Sequence, residues 1–437
     1  MMDRVVIDTL EDRYSRLRML PWWNQNLLRE SRVVVVGAGA LGNEIIKNLA
    51  LVGVGSILIV DFDRVEASNL SRSVLFRSED EGKPKAAAAA SAASAINPDC
   101  SFYAMNADIT YQVGLGLFRW ADVIIAGLDN REARLAVNRA CWKAGRPWVD
   151  GATEAFQGVA RVFVPPDGPC YECTLSEQDQ RIMAVRDSCG FFAREAYRQG
   201  RTPTTPTTSS VIAAVQVQEA VKLLHGSGAP STAVQAGAEQ KPAADGVPPS
   251  LAGRGFFFDG AGYDCFTIQY TRRHDCLSHE TFGNIVETDL TSETATLADV
   301  LRIAEEHIGG DVVIDLPCEM VTGFSCTHCG AEEGLFRLVR SISADEARCP
   351  KCGAERVPEV VAEARRGSGF VCIPLAELGF GIMEILPARS RQGQVAIEIS
   401  ADLRRVITAS SAAAKRGGAH QTTDRGVGES GRESESA

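Results

Sequence analysis

The sequence predicts an α/β fold, in which a doubly wound, mostly parallel sheet is followed by a smaller cysteine-rich region. Two observations support this prediction. Short β-branched runs alternate with helical stretches over residues 32–150, and a pair of Cys-x-x-Cys motifs recurs beyond residue 318. Strands that alternate with helices favour a parallel sheet that has helices on both faces. Thiolate pairs at this spacing are typical of zinc sites.

The first 150 residues contain most of the predicted elements. Residues 1–30 predict a helical lead-in, and β-branched runs predict strands at 33–36, 56–60, 121–126 and 148–149. The alanine-rich run 85–96 predicts a helix. Further along, Gly, Ala, Pro and Ser dominate residues 226–254 and the tail 409–437. This composition predicts a flexible insert and a disordered tail.

Composition excludes several classes of protein. The chain has 437 residues, a net charge of -11 and 13 cysteines. The acidic balance argues against a nucleic-acid partner, because phosphate contacts need clustered Lys and Arg. We see neither a signal peptide nor an apolar run that would span a membrane, so we expect a cytoplasmic protein with no membrane partner. In that compartment cysteines favour metal binding or catalysis over disulfides.

A glycine-rich turn follows the first predicted strand. Gly37, Gly39 and Gly42 fit the pattern G-x-G-x-x-G, and Asp61 ends the next strand about 20 residues later. Glycines let the backbone approach a phosphate, and an acidic residue at this spacing meets a ribose hydroxyl. The pattern predicts a Rossmann-like nucleotide site, although an ordinary glycine turn would look similar. Alone it leaves the nucleotide open, and a dinucleotide dehydrogenase is the default interpretation.

A set of further motifs changes that default. Together they resemble the superfamily of ubiquitin-activating enzymes and ThiF/MoeB/HesA adenylyltransferases over residues 13–225, and weakly over 256–280. The motifs are Arg-Tyr-x-Arg ending at Arg16, the acidic pair Asp61 and Asp63, Asn69-Leu70-Ser71-Arg72, Gly82 with Lys85, Asn97-Pro98, and Asp129-Asn130 with Arg134. One position departs from the pattern, because Ser73 stands where the superfamily usually has Gln.

The resemblance implies ATP and Mg²⁺ as cofactors, and adenylation of the C-terminal carboxylate of a ubiquitin-like (β-grasp) or sulfur-carrier protein. It gives Asp61 to the ribose, Arg72 and Lys85 to the phosphates, and Asp129 to Mg²⁺. Arg16 would reach the neighbouring subunit's site, which implies a homodimer. The expected nucleotide-binding set is Gly37, Gly39, Gly42, Asp61, Asp63, Asn69, Arg72, Lys85, Asp129 and Asn130. The chemistry suits these residue types, because charge that builds on the phosphates needs fixed cations beside it.

Two zinc sites are expected. Cys326-x-x-Cys329 and Cys349-x-x-Cys352 are separated by 19 residues, a zinc-ribbon spacing. The superfamily closes a second site with two Cys pairs, and here the resemblance implies that Cys170 and Cys173 are joined by Cys276 and His279. The alternatives are redox or incidental cysteine pairs, and a His279 that is merely a surface residue. Both sites would be closed, structural zinc sites.

Cys189 is the candidate nucleophile. It lies in a segment that resembles the superfamily's crossover, where thioester-forming relatives carry a reactive cysteine, and Arg186 precedes it. A nearby cation would lower its thiol pKa; the alternative is a free structural cysteine. Three functions stay open: activation that ends in a thioester and involves a conjugating enzyme, adenylation alone for a sulfur carrier, and a nucleotide-binding scaffold without catalysis.

We therefore expect four parts in the chain. A lead-in over 1–30 precedes an adenylation domain over 31–290 that contains the flexible insert at about 226–254. A C-terminal region over 291–408 holds the zinc ribbon of residues 326–352, and a disordered tail covers 409–437. We expect the C-terminal region to dock a partner, either the carrier protein or an acceptor enzyme.

Overall fold

The computed structural model describes residues 11–176, 203–226 and 246–403. These residues form two sheets, one of eight strands and one of six. The strands of the first sheet are β1 Arg32–Val36, β2 Ser56–Val60, β3 Ser101–Met105, β4 Val123–Ala126, β5 Trp148–Glu154, β6 Gln157–Phe163, β7 Arg254–Asp259 and β8 Asp264–Gln269. The helices are α1 Gln25–Glu30, α2 Ala40–Val52, α3 Lys85–Ile96, α4 Leu115–Trp120, α5 Arg131–Ala144, α6 Pro206–Leu224 and α7 Leu297–Ile308.

The first sheet has the order β3-β2-β1-β4-β5-β6-β7-β8. Strands β1 to β5 are parallel, and β6, β7 and β8 extend the sheet as antiparallel strands. The parallel strands are apolar throughout because both faces are covered. On β1, Val33 and Val35 pack with α2, α3 and α6, whereas Val34 and Val36 pack with α4 and α5. The predicted doubly wound α/β sheet is confirmed.

The second sheet forms the cysteine-rich region. Its strands are β9 Ile285–Thr288, β10 Val313–Ser325, β11 Glu332–Leu338, β12 Val357–Ala364, β13 Ile385–Arg389 and β14 Gln394–Ile399. Their order is β11-β10-β13-β14-β9, and β12 also pairs with β10. Because β9 pairs with β14, this sheet begins at Ile285, a few residues before the expected boundary at 290.

The two sheets are joined by a shared core. Met383, next to the second sheet, is 1% exposed and belongs to the apolar cluster that also contains Val113 and Phe118 of the first unit. The backbone N–H of Gly114 donates to Ile382 O at 2.7 Å. The side chains of Arg119 and Glu398 form an ion pair across the same junction. The C-terminal region therefore packs directly against the α4 side of the domain that contains the first sheet.

Two predicted segments are only partly described, and a third lies outside the described residues. In the lead-in, a 3₁₀ turn at Leu17–Met19 precedes the short helix α1. At the end of the predicted insert, the Leu251 N–H donates to the Glu219 carboxylate at 2.6 Å, so this end is packed against α6. Residues 227–245 and the tail from 404 onward lie outside the described residues. Among the described helices, none is both long and apolar enough to cross a membrane.

Candidate nucleotide site and cysteine clusters

The site lies where β1 and β4 run side by side in the parallel sheet. The chain leaves β1 towards α2 and β2 on one side, and leaves β4 towards α5 and β5 on the other. Neighbouring strands whose connections diverge in this way leave a crevice at their carboxyl ends, which is the usual ligand site of such sheets. The backbone of Gly127, just after β4, donates to Val36 O at 2.9 Å and holds the two strand ends together.

The glycine turn closes this end of β1. Gly37 has φ +92°, and a Cβ on it would lie 2.6 Å from Gly127 O. A Cβ on Gly42 would lie 1.9 Å from Gly37 O, so the first turn of α2 can pack this closely only without a side chain there. Around Gly39, by contrast, a Cβ would meet nothing within 4 Å. Gly39 is the N-cap of α2, and this open side leaves room for a phosphate at the helix N-terminus.

Asp61 is held rigidly at the end of β2. Its two carboxylate oxygens accept the backbone N–H of Ala38 at 2.7 Å and of Asp63 at 2.8 Å. Burial raises the pKa of Asp61, while these donors and the nearby Lys85 charge oppose the rise. Lys85 also makes a 2.8 Å ion pair with Asp63, and its own side chain is 12% exposed. The carboxylate expected at the ribose thus contacts the glycine turn directly.

The segment that carries Arg72 follows Asp63 along the chain. Arg72 is half-buried, and its guanidinium donates to Ser68 O at 2.7 Å. Asn69 accepts the backbone N–H of Glu66 at 3.0 Å, so in this state its amide shapes the turn. Ser73, at the position where the superfamily usually has Gln, is 4% exposed and packs inside the segment. The arginine is therefore anchored by its own loop.

Asp129 and Asn130 follow β4 at the same edge. Asn130 caps α5 by accepting the Ala133 N–H at 2.7 Å, and its amide donates to Asp129 at 3.1 Å. Asp129 itself is exposed. Arg134, one turn into α5, donates to the Asp150 carboxylate at 2.9 Å and fixes this loop against β5. An exposed carboxylate therefore lies at the carboxyl end of β4, beside the crevice.

The structure therefore gathers most of the predicted nucleotide set on loops at one sheet edge. Two further candidate catalytic residues are not part of that set: Arg16 is exposed on the N-terminal turn, and Cys189 lies outside the described residues. One residue was missed: Asn43 of α2 is fully buried and contacts both the glycine turn and the segment after Arg72. No distinct sequence signal pointed to it, because α2 also carries the polar residues Glu44, Lys47 and Asn48.

The first cysteine cluster joins two distant segments. The Sγ atom of Cys170 lies 3.7 Å from that of Cys173 and 3.5 Å from that of Cys276. The Sγ atom of Cys173 lies 3.4 Å from Nε2 of His279. A tetrahedral zinc with bonds of about 2.3 Å to sulfur needs sulfur atoms about 3.8 Å apart, so these separations fit one metal ion.

The surroundings of this cluster also suit a metal. Burial lowers the pKa of His279, which favours the neutral imidazole that a metal ligand must be. The ring of Trp142 lies against His279 with centroids 4.3 Å apart, so the imidazole is held in place by α5. A hydrogen bond from Cys170 holds the pKa of Cys173 well below its usual range. The predicted Cys₃His set can therefore hold zinc.

The second cluster is built from two matching turns. Cys326 lies 3.6 Å from Cys352, and Cys329 lies 3.6 Å from Cys349, measured between Sγ atoms. In each turn the glycine after the second cysteine has positive φ, and its N–H donates to the first cysteine's carbonyl. A hydrogen bond from the backbone of Lys351 lowers the pKa of Cys349 to about 6. These features fit a zinc ribbon.

Comparison with known proteins decides the family. The family model described as "ThiF family" matches residues 13–245. The chain belongs to the ThiF family. This membership confirms the resemblance drawn from the motifs.

Three relatives illustrate what this ThiF-family chain is similar to. It is 34% identical over 274 residues to the SAMP-activating enzyme E1 of Haloferax volcanii. This alignment covers 61% of this chain and 87% of that protein. It is 36% identical to the sulfur carrier protein adenylyltransferase of Thermus thermophilus, over 50% of this chain and 79% of that protein. It is 33% identical to the molybdopterin-synthase adenylyltransferase of Escherichia coli, over 50% and 84%.

Proposed function

We propose that this chain is an ATP-dependent adenylyltransferase of the ubiquitin-activating type, which acts on the C-terminal carboxylate of a ubiquitin-like or sulfur-carrier protein. The observation that carries the proposal is the glycine turn with Asp61 bonded to it and Lys85 paired with the neighbouring Asp63. Asp129 follows β4 at the same carboxyl end of the sheet, and the segment of Arg72 is bonded to α2 through Asn43. A dehydrogenase needs no such set of cations and carboxylates. The activities for which the relatives are named support the same proposal.

In the proposed reaction, an oxygen of the carrier's carboxylate attacks the α-phosphate of ATP. A new bond forms between that oxygen and phosphorus, and the bond to the bridging oxygen breaks, so pyrophosphate leaves. Arg72 and Lys85 would offset the charge on the phosphates, and Arg72 suits bidentate contact. Asp129 would hold Mg²⁺, which supplies further positive charge at the leaving group. Asp61 would orient the nucleotide through its ribose.

The carrier has a candidate docking surface on the same sheet. Three aromatic side chains, Phe156, Tyr263 and Phe266, are 56%, 87% and 55% exposed. Phe156 and Tyr263 lie in turns at the carboxyl ends of the parallel strands, where the glycine turn also lies, because β7 runs parallel to β5. Within the described residues, β8 pairs with β7 alone, so its other side is a free strand edge. An exposed apolar edge of this kind favours a partner with a sheet of its own.

The direct test uses ATP labelled at different phosphates. With Mg²⁺ and a carrier protein, ATP labelled on the α-phosphate should label the carrier, because AMP is transferred. ATP labelled on the γ-phosphate should not, since that phosphate leaves in pyrophosphate. Transfer of the γ-label would assign the site to a kinase reaction, and no transfer of either label would favour a nucleotide-binding scaffold.

We further propose that Cys189 takes over the activated acyl group as a thioester. The crossover that carries it starts beside the first cysteine cluster, and it returns at Thr204, which bridges to Ala155 in the β5–β6 turn. Its return is thus at the nucleotide edge of the sheet. The relatives include both activating enzymes and sulfur-carrier adenylyltransferases. Formation of a thioester is therefore a separate proposal from adenylation.

Cys189→Ala should separate the two chemical steps. We expect the variant to keep ATP–pyrophosphate exchange, because the adenylate forms at phosphate-binding residues, and to lose any thiol-sensitive band between enzyme and carrier on a non-reducing gel. Cys372→Ala is the matched control, since Cys372 is an exposed cysteine outside both clusters and away from β8. Adenylation alone would be the function if the unaltered enzyme gave no band while exchange was robust.

Arg16 should act in trans within a homodimer. It is exposed on the N-terminal turn, which is compatible with reaching a second chain. When Arg16→Ala chains are mixed with Asp129→Ala chains, one of the two sites in each mixed dimer carries neither lesion. We therefore expect partial recovery of exchange. Absence of recovery in subunits shown to exchange would argue that Arg16 acts within its own chain or not at all.

A further inference from the structure

Asn43 joins the two halves of the proposed nucleotide site. Its side chain is 0% exposed although it is an amide inside a helix. Nδ2 donates to Ala38 O at 2.7 Å and to Gly39 O at 3.0 Å, and Oδ1 accepts the Leu75 N–H at 2.9 Å. One buried amide thus holds the carbonyls of the glycine turn and a backbone donor that lies three residues after Arg72.

These bonds link the phosphate arginine to the ribose carboxylate. Ala38 is held from both sides, because its N–H donates to Asp61 while its carbonyl accepts from Asn43. Leu75 is 3% exposed and packs in the core on the α2 side of the sheet, so the segment that it anchors is fixed at that end. The path therefore runs from Asp61 through Ala38 and Asn43 to the loop of Arg72.

We propose that Asn43 is a positioning residue that fixes Arg72 relative to the glycine turn, so that both grip one triphosphate. This inference rests on the proposed nucleotide site. A buried amide that uses its donors and its acceptor is sensitive to small changes, because any unpaired group is left without water. An aspartate would place carboxylate oxygens against the carbonyls of Ala38 and Gly39, and a serine would be too short to bridge them to Leu75.

The chain offers a closely matched control at the other end of α2. Asn97 is also 0% exposed. Its Nδ2 donates to Tyr14 Oη at 2.8 Å and to Ala50 O at 2.7 Å, and its Oδ1 accepts the Asp99 N–H at 3.1 Å. It therefore has the same bonding pattern as Asn43 but lies at the amino ends of the strands. Equivalent substitutions at the two sites should perturb folding alike while differing in their effect on nucleotide.

The test measures binding of Mg²⁺-ATP by equilibrium dialysis, well below each variant's Tm. We expect Asn43→Asp and the milder Asn43→Ser to raise the Kd for ATP at least about tenfold, with Asn97→Asp and Asn97→Ser within about twofold of the unaltered protein. In an Arg72→Ala background, Asn43→Ser should raise the Kd for ATP by less than about threefold further, because the effect of a residue that acts through Arg72 disappears when Arg72 is absent.

Two outcomes would overturn the inference. One is an ATP affinity that Asn43→Ser leaves unchanged. The other is an equal fold-loss with and without Arg72, which would show that Asn43 acts by another route. ATP binding needs no carrier protein, so these outcomes are distinct from failure of the proposed adenylation. That failure would appear as normal ATP binding by the unaltered protein without transfer of AMP to a carrier.

Discussion

Asp129→Ala is expected to abolish ATP–pyrophosphate exchange, with a loss of at least about 100-fold. The physical reason is loss of the carboxylate proposed to hold Mg²⁺ at the pyrophosphate leaving group. The fold should survive, because Asp129 is exposed and its side chain accepts a hydrogen bond from the neighbouring Asn130, while Arg134 independently fixes the loop. Circular dichroism and ATP binding without Mg²⁺ would verify an intact protein.

Arg72→Ala should cut exchange strongly for a related reason, and two variants control for these changes. Arg77→Ala removes an arginine from the same segment, where it donates to the local carbonyls of Val74 and Phe76. Asp99→Ala removes a carboxylate that is 54% exposed, next to the amino end of β3. Both controls should stay near the unaltered activity. Full exchange in Asp129→Ala and in Arg72→Ala would rule out the assigned phosphate and metal roles.

The second large effect concerns metal. The protein should contain about two zinc ions per chain, from eight ligands at four per tetrahedral site. His279→Ala should remove one ion and lower Tm by roughly 10 °C, because the first cluster joins Cys170 to Cys276 across 106 positions of the chain and packs against Trp142 of α5. Cys265→Ser, outside both clusters, should keep both ions. One ion in the unaltered protein would remove one of the two clusters from the assignment.

The ribbon should lose its zinc only in acid. Zinc binds the deprotonated thiolates of the four ribbon cysteines, so protons compete with the metal and displace it as the pH falls. We expect metal analysis after dialysis to show full retention at pH 7.5 and release of ribbon zinc below about pH 6. Release already at neutral pH would contradict this expectation.

Local patterns predicted the parallel core well. The strands β1, β2 and β4 are β-branched runs buried on both faces, and such runs are recognisable without knowledge of the fold. β3 was missed because Ser101–Met105 is mixed in character, and only two of its five residues are buried. The long strand β10 was also missed, since Pro317 and a shift in register interrupt it. These elements are strands because of their neighbours, which a local pattern does not report.

In the site, too, residues in local motifs were predicted, whereas residues that depend on distant contacts were not. Short-range motifs predicted Gly37, Asp61 and Asp129, because each motif holds its own turn. Asn43 was not predicted, since its burial arises only when the distant segment at Leu75 folds over α2. The partners of Cys170 are also distant, and they were found through the superfamily resemblance. The bond from Arg134 to Asp150 depends in the same way on the packing of α5 against β5.

The most direct test of carboxylate activation compares two forms of one carrier protein. The candidate carrier is supplied either with its free C-terminal carboxylate or with that terminus converted to an amide, and exchange of labelled pyrophosphate into ATP is measured with Mg²⁺. Exchange should appear with the free carboxylate and be absent with the amide, because only the carboxylate oxygen can attack the α-phosphate. Equal exchange with both forms would contradict adenylation of the C-terminus.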